Sequence, residues 1–189
     1  MIMNIKIRKL TPELLEDYLL FFDTYEDCYC TCYCSDNHEG KDFSKRETRR
    51  NYASQYINGG MIQGYLAYLD NHVVGWCNAN SKKDCLECEG WKIMLPAVSR
   101  VESANEKVKA IFCFTVAPDM RRKGISTQLL EQVCNDAAID GFDCIDAYPN
   151  RVFEDIYSDH MGSVDFYKKH GFVLHEEAGE KVVMRKYLI

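Results

Sequence analysis

The chain has 189 residues, of which 47% are apolar and 28% are charged. This length and composition fit one globular domain, residues 1–189, with a sizeable core. The sequence has no run close to the roughly 18 consecutive apolar residues of a membrane helix, and its N-terminus lacks a signal-peptide pattern, so we expect a cytoplasmic protein without a membrane partner. The net charge of −6 disfavours a nucleic-acid partner, because nucleic-acid-binding proteins usually carry a basic face.

The first half of the chain is predicted to form a strand, two helices and a hairpin. In chain order these are a strand at 5–10, a helix at 12–22, a helix that begins at 44, and a hairpin at 64–77. Thr11 and Pro12 have the pattern of a capped helix start. Ser44 and Glu47 have the spacing of a capping box, and the glycines at 59 and 60 end that helix.

The second half alternates between strands and helices. The predicted elements are a strand at 110–116, a helix at 124–139, a strand at 142–148, a short helix at 165–169, and two strands at 172–175 and 182–188. Residues 80–108 have no clear period and are either a functional loop or a helix that the pattern does not reveal. The order predicts an α/β fold in which helices pack on a mixed sheet. Exposed edge strands at the C-terminus are compatible with a homodimer.

The most informative stretch is the loop between the strand that ends at Val116 and the helix that follows. The first N–H groups of a helix have no partners within it, and the helix dipole places partial positive charge there. Gly124 leaves room for a close approach, and the three consecutive cations Arg121, Arg122 and Lys123 precede it. The pattern predicts a diphosphate site. The alternative is a basic turn on the solvated surface.

Two segments together carry a family resemblance. Residues 121–126 read Arg-Arg-Lys-Gly-Ile-Ser, and residues 166–172 read Phe-Tyr-Lys-Lys-His-Gly-Phe. With the order of elements, which matches over nearly the whole chain, they resemble the GNAT superfamily of acetyl-CoA-dependent N-acetyltransferases. The resemblance implies a mostly antiparallel mixed sheet with splayed middle strands, flanked by helices. It also implies direct transfer of an acetyl group from acetyl-CoA to a primary amine, on a small molecule or a peptide, in a ternary complex.

The resemblance further implies a set of site residues. The backbone of Phe114, Thr115 and Val116 would bind the pantetheine arm of acetyl-CoA as an added strand. The hydroxyl of Tyr167 would protonate the departing thiolate, and the alternative for this residue is a core aromatic position. No metal is expected. The residues expected to hold the cofactor are Phe114, Thr115, Val116, Arg121, Arg122, Lys123, Gly124, Ile125, Ser126, Thr127 and His160.

The sequence departs from the family pattern in three places. Ser126 replaces the usual glycine or alanine, and His160 replaces an asparagine that often contacts pantetheine. Residues 150–159 lengthen the link before the last helix, and they either close over the substrate or decorate the surface. The central strand also contains no carboxylate that could act as the general base, so a water relay is the default. The alternatives, each also compatible with a plain surface position, are Glu26, Glu89, Glu102 and Glu154.

Ten cysteines are a high count for this length. Without a secretion signal they are expected to be reduced thiols. In an extended chain, the run Cys28, Cys30, Cys32 and Cys34 would hold its thiols about 6.5 to 7 Å apart on one face, which is too far for a single zinc ion with bonds of about 2.3 Å. Cys85 and Cys88 have a spacing more typical of zinc sites, which Cys32 and Cys34 could join.

Apolar core filling is the main interpretation of these cysteines. A metal site, a redox sensor and a thiol-lined acceptor pocket remain as alternatives, since the family commonly grips the acceptor between its first two helices. Two further functions therefore compete with acetyl transfer. One is an acyl-CoA-binding sensor without turnover, and the other is a thiol or metal protein built on the cysteines.

Overall fold

The computed structural model describes residues 4–33, 40–99, 106–155 and 159–188. Its seven strands form one sheet in the order β1-β2-β3-β4-β5-β7-β6. The strands are β1 (Lys6–Lys9), β2 (Gly64–Leu69), β3 (His72–Ser81), β4 (Val108–Val116), β5 (Cys144–Ala147), β6 (Val173–Ala178) and β7 (Lys181–Tyr187). The helices are α1 (Leu15–Tyr25), α2 (Arg46–Asn58), α3 (Lys82–Cys85), α4 (Glu89–Met94), α5 (Ile125–Ile139) and α6 (Val164–Lys169).

The sheet is mixed and mostly antiparallel, as predicted. Only β4 and β5 pair in parallel, and every other neighbouring pair is antiparallel. The β2–β3 hairpin turns at Asp70 and Asn71, whose φ angles are 49° and 67°. Two consecutive residues with positive φ are the geometry of the tight hairpin turn that suits the twist of the strands.

The two central strands separate part of the way along their length. β4 pairs with β5 only from Val108 opposite Cys144 to Ile111 opposite Ala147. On its other side, β4 stays paired with β3 as far as Val116. The register between β3 and β4 shifts at Phe112, which is therefore an extra residue in β4. A bulge of this kind bends a strand, so one edge of β4 leaves β5 from residue 112 onward.

Helices cover both faces of the sheet around the bend. On one face, the ring of Trp76 lies 4.9 Å from that of Tyr18 in α1, measured between centroids. On the other face, Gly75 lets α5 lie close, since a Cβ atom at this position would come within 2.8 Å of the Ile125 side chain. Neighbouring residues of a strand face opposite sides of the sheet, so α1 and α5 lie on opposite faces.

The two predicted helix starts have different outcomes. Thr11 is the cap residue and Pro12 begins the helical turn, as predicted, but the turn is a single 3₁₀ turn at Pro12–Leu14 before α1 and the Thr11 hydroxyl makes no capping bond. Ser44 does not form a capping box, because α2 begins at Arg46 and the Ser44 hydroxyl donates instead to the Asp42 carboxylate. The stretch at 80–108 contains the two short helices α3 and α4, which its sequence did not reveal. None of the described helices combines the length and the apolar composition that a membrane crossing requires.

A buried ion cluster fixes the point at which β5 leaves β4. Asp146 is fully buried, and its carboxylate accepts bonds from Arg185 Nε at 2.7 Å and Nη2 at 2.9 Å. The Lys82 ammonium donates to the same carboxylate at 3.2 Å. Arg185 also donates to Glu106 at 3.1 Å. The cluster joins β5, β7 and the start of α3 directly beside Ala147, the last residue of β5.

We expect Asp146→Asn to lower the free energy of unfolding by about 3–5 kcal/mol, the usual effect of removing one partner from a buried ion pair. The substitution leaves two buried cations facing an amide. Urea denaturation measures the change. The control is Glu177→Gln, which removes an exposed carboxylate 3.1 Å from Arg151 and should alter stability by no more than about 0.5 kcal/mol. Equal effects of the two substitutions would contradict a stabilising role for the cluster.

Candidate functional site

A cleft of about 380 Å³ opens on the α5 side of the sheet, where β4 leaves β5. Five parts of the chain line it: the end of β4, the loop before α5 with the helix's first turn, the link residue Phe153, residues 159–163, and α6. The lining residues are Phe114, Val116, Met120, Arg121, Arg122, Gly124, Ile125, Ser126, Thr127, Phe153, Asp159, His160, Gly162, Ser163 and Phe166.

The loop before α5 presents backbone donors to this cleft. Gly124 caps the helix with a φ of 79°, and the first bond of the helix ladder runs from Gln128 N–H to Gly124 C=O at 3.1 Å. In the described part of the chain, no backbone carbonyl accepts from the N–H groups of Ile125, Ser126 or Thr127. Free backbone donors at the positive end of a helix dipole are the features with which helices bind anions. A Cβ atom on Gly124 would meet no atom within 4 Å, so the space above it is open.

Two of the three predicted cations line the cleft. Arg121 Nε donates to the carbonyl of Val116 at 3.2 Å, which holds this side chain at the end of β4. Arg122 is exposed at the mouth of the cleft. Lys123 instead directs its ammonium to Met120 Sδ at 3.6 Å. The positive charge at the cleft therefore comes from the two arginines.

The predicted strand residues divide between the two faces of β4. Phe114 and Val116 face the cleft. Thr115 faces the opposite side, where its hydroxyl lies 3.5 Å from Cys113 Sγ. His160 lines the cleft, and its backbone carbonyl accepts the Phe114 N–H at 2.7 Å. The structure thus brings the predicted cofactor residues together, except for the side chains of Thr115 and Lys123.

Tyr167 lies behind the wall of the cleft. It is fully buried, and its hydroxyl donates to the Met161 carbonyl at 2.8 Å. Gly162 separates it from the cleft, since a Cβ atom there would lie 3.5 Å from the Tyr167 hydroxyl oxygen. Burial raises the pKa of Tyr167 well above its usual value, so the phenol is protonated at neutral pH. Its role as an acid stays a prediction.

The sequence interpretation missed Asp159, the only carboxylate among the residues that line the described cleft. One of its oxygens accepts the Met161 N–H at 3.1 Å, and the other accepts Asn150 Nδ2 at 2.8 Å. An aspartate that bonds to the backbone two residues later is a known turn pattern, and this signal could have identified it. Phe153 also lines the cleft, so the long link at 150–159 contributes to the site.

Of the four loop glutamates considered as bases, the structure describes Glu26, Glu89 and Glu154, and none of these three lines the cleft. Glu102 lies outside the described residues. On the opposite face of the sheet, Tyr33 from the segment after α1 stacks on Phe112, with ring centroids 4.4 Å apart. The segment between the first two helices therefore reaches the point where the central strands separate.

The described part of the cysteine run, residues 28–33, is not extended. The backbone turns at Tyr29 and Cys30, both with a φ of 49°. Cys30 is buried and its sulfur accepts Asn78 Nδ2 at 3.4 Å, whereas Cys88 accepts the Trp91 N–H at 3.3 Å and caps α4. Cys34 lies outside the described residues. Among the residues that are described, no three His, Cys, Asp or Glu side chains converge as a metal site.

Comparison with known proteins gives the family. Residues 20–172 match the Acetyltransferase (GNAT) family. A search of curated proteins finds no match. Many solved structures are similar, with TM-scores of 0.56–0.58 for the three described next.

The PaiA N-acetyltransferase from Thermoplasma acidophilum, solved with coenzyme A, is 17% identical, with 98% of this chain and 99% of that chain covered and a TM-score of 0.58. An acetyltransferase from Thermus thermophilus is 14% identical, with 99% of both chains covered and a TM-score of 0.58. A GNAT acetyltransferase from Streptococcus pneumoniae is 14% identical, with 98% and 100% covered and a TM-score of 0.56. At these identities the structures show a shared fold.

The chain belongs to the GNAT acetyltransferase family, because the family match covers most of its length. It is an N-acetyltransferase, and enzymes of this family take their acetyl group from acetyl-CoA. The mixed sheet with separating central strands, expected from the resemblance, is confirmed by the structure and by the fold of its neighbours.

We expect a strong chelator to leave the melting temperature unchanged, because the described cysteines serve as core and capping residues. A structural zinc site supplies folding free energy directly, so its removal would unfold the protein. Differential scanning fluorimetry with and without 1,10-phenanthroline measures the effect, and elemental analysis of the purified protein is the control. A large fall in melting temperature, together with bound zinc, would restore the metal interpretation.

Proposed function

We propose that the cleft binds acetyl-CoA and that an amine attacks the thioester directly, with both substrates bound together. The observation that carries this proposal is the combination of a diverging strand edge with a helix N-terminus at one cleft. The diverging strand edge can bind an extended polar arm, and the helix N-terminus can bind a diphosphate. Residues of the strand edge and of the helix N-terminus line the same cleft.

The edge of β4 beyond Ile111 is the proposed binding surface for the pantetheine arm. This edge has left β5, so an extended amide chain can add to it as a strand would. Phe114 and Val116 both line the cleft on this edge. The amides of pantetheine are spaced along a flexible chain, and strand addition would satisfy them without specific side chains.

The first turn of α5 is the proposed site for the diphosphate. The N–H groups of Ile125, Ser126 and Thr127 point out of the helix end, and Arg122 adds a full charge beside them. Hydrogen bonds from backbone donors to charged oxygens are about twice as strong as neutral ones. Gly124 matters because its open side leaves room for a phosphate group.

Tyr167 is the proposed general acid. Because burial raises the pKa of Tyr167, its phenol carries its proton at neutral pH. When the amine displaces the thioester sulfur, this proton passes from the Tyr167 hydroxyl to the departing thiolate, and the tyrosinate that remains regains a proton from solvent. The amine must first lose its own proton, since an ammonium has no lone pair. Asp159 already accepts bonds on both carboxylate oxygens, so we propose a water relay for this step.

The acceptor is proposed to enter from the opposite face of the sheet, beside the segment that follows α1. Tyr33 and Phe112 stack there, at the point where β4 leaves β5. An acceptor amine in this position would approach the thioester from the side away from α5. A small-molecule amine and a peptide amine both fit this proposal.

Gly124→Leu should weaken coenzyme A binding about 10- to 100-fold, the loss expected for one or two hydrogen bonds to charged groups. The new side chain would occupy the space of the diphosphate. Isothermal titration calorimetry gives the dissociation constant. Gly141→Leu is a matched control, because Gly141 lies at the other end of α5 with a φ of 73° and no atom within 4 Å of its Cβ position. Unchanged affinity in Gly124→Leu would refute the placement of the diphosphate.

Tyr167→Phe should lower kcat by roughly 10²- to 10⁴-fold, the usual contribution of general acid catalysis. Coenzyme A binding should not weaken, because the proposed binding groups are elsewhere. Release of free thiol from acetyl-CoA, followed with a thiol reagent and a panel of amines, measures turnover. Turnover equal to that of the parent enzyme would remove Tyr167 from the mechanism.

A further inference from the structure

Residues 159–163, here called the strap, form part of the wall of the cleft between β4 and α6. Two successive carbonyls of the strap hold the two groups that the proposed reaction needs most. The carbonyl of His160 accepts the Phe114 N–H at 2.7 Å. The carbonyl of Met161 accepts the Tyr167 hydroxyl at 2.8 Å.

The first of these bonds closes the exposed edge of β4. Phe114 lies beyond Ile111, where β4 no longer pairs with β5, and its N–H therefore points into the space between the strands. A bond of 2.7 Å is at the short end of the range for amide donors. While this bond exists, the Phe114 N–H is not available to an added strand.

The second bond closes the path to the phenol. Tyr167 is fully buried, and its single hydroxyl proton is directed at Met161. The strap itself separates the phenol from the cleft, with Gly162 as the thinnest part of the wall. A leaving group in the cleft can receive this proton only if the strap and the hydroxyl move apart.

In its closed position the strap is held by hydrogen bonds at both ends and is pliable between them. At one end, Asp159 accepts from Asn150 Nδ2 and from the Met161 N–H. At the other end, Ser163 caps α6 by accepting the Phe166 N–H at 3.1 Å. Between them Gly162 has a φ of 80°, and glycine moves between positive and negative φ at little cost.

We propose that the strap closes the cofactor groove in the free protein, and that coenzyme A binds by displacing it. One movement then frees the Phe114 N–H for the pantetheine arm and the Tyr167 hydroxyl for the leaving sulfur. This inference rests on the proposed function of the cleft. Binding and activation of the acid are thereby coupled, because both groups are released from the same segment.

The proposal predicts that some substitutions around the strap increase the affinity of the protein for coenzyme A. If only an open fraction of the protein binds, the observed dissociation constant is the intrinsic constant divided by that fraction. Any substitution that weakens the closed strap without touching the ligand should therefore tighten binding. A strap that is merely structural would give the opposite result, because loosening it would disorder the site.

Asn150→Ala is the first test, since Asn150 anchors Asp159 and does not line the cleft. We expect the dissociation constant of coenzyme A, measured by calorimetry, to fall roughly 2- to 12-fold, the equivalent of one net hydrogen bond. Gln132→Ala is the matched control. It removes an amide-to-carboxylate bond of the same 2.8 Å length, from Gln132 to Asp136 within α5, and should leave the dissociation constant unchanged.

Tyr167→Phe is the second test, and it serves also if Asn150→Ala fails to fold. It removes the bond to Met161, so coenzyme A should bind tighter by a similar factor even though turnover falls. Weaker or unchanged binding in both folded variants would overturn the strap proposal. If the unmodified protein binds no coenzyme A at all, the proposed function itself fails, and the two failures are thus distinguishable.

Discussion

The structure depends on one constraint, which is that β4 and β5 stop pairing while β4 continues. Backbone N–H and C=O groups are obligatory hydrogen-bonding groups, and a strand edge inside a protein cannot leave them without partners. Beyond Ile111 and Ala147, the backbone groups on the β5 side of β4 therefore need other hydrogen-bond partners at the centre of the molecule. A ligand with an extended amide chain can supply these partners, and so can another part of the chain.

The surrounding elements hold this separation in place. The bulge at Phe112 bends β4 away, and the buried cluster of Asp146, Arg185 and Lys82 holds the end of β5 against β7. A carboxylate with two buried cations has little freedom to move, because any displacement would leave a charge unpaired. Gly75 allows α5 to approach closely, which brings the helix N-terminus beside the open edge.

The sequence predicted those parts of the fold and site that arise from local patterns. Periodicity located the long helices and the hairpin, and the cations with Gly124 identified the helix N-terminus at which we propose the diphosphate, because each of these signals lies within a few neighbouring residues. The helix start at Thr11 and Pro12 was predicted correctly, but the Thr11 hydroxyl bond and the capping box at Ser44 do not form. Other local hydrogen bonds compete for the same groups, as the bond from Ser44 to Asp42 does, and the residue pattern does not show which of them forms. The turn pattern at Asp159 is local and could have been found in the same way, but the strap could not. The role of the strap depends on contacts with Phe114 and Tyr167, which only the tertiary structure brings together.

The strap follows from the same constraint as the cleft. An empty groove with an unpaired strand edge would expose amides to water and offer a template for pairing with another chain. Closing the groove with carbonyls from the chain itself satisfies the edge in the absence of ligand. The closing segment must then lie where the cofactor arm would lie, and in this fold that position is next to the proposed acid. When the strap covers the open edge of β4, it therefore also holds the Tyr167 hydroxyl. The Phe114 N–H and the Tyr167 hydroxyl become available together when the cofactor fills the groove.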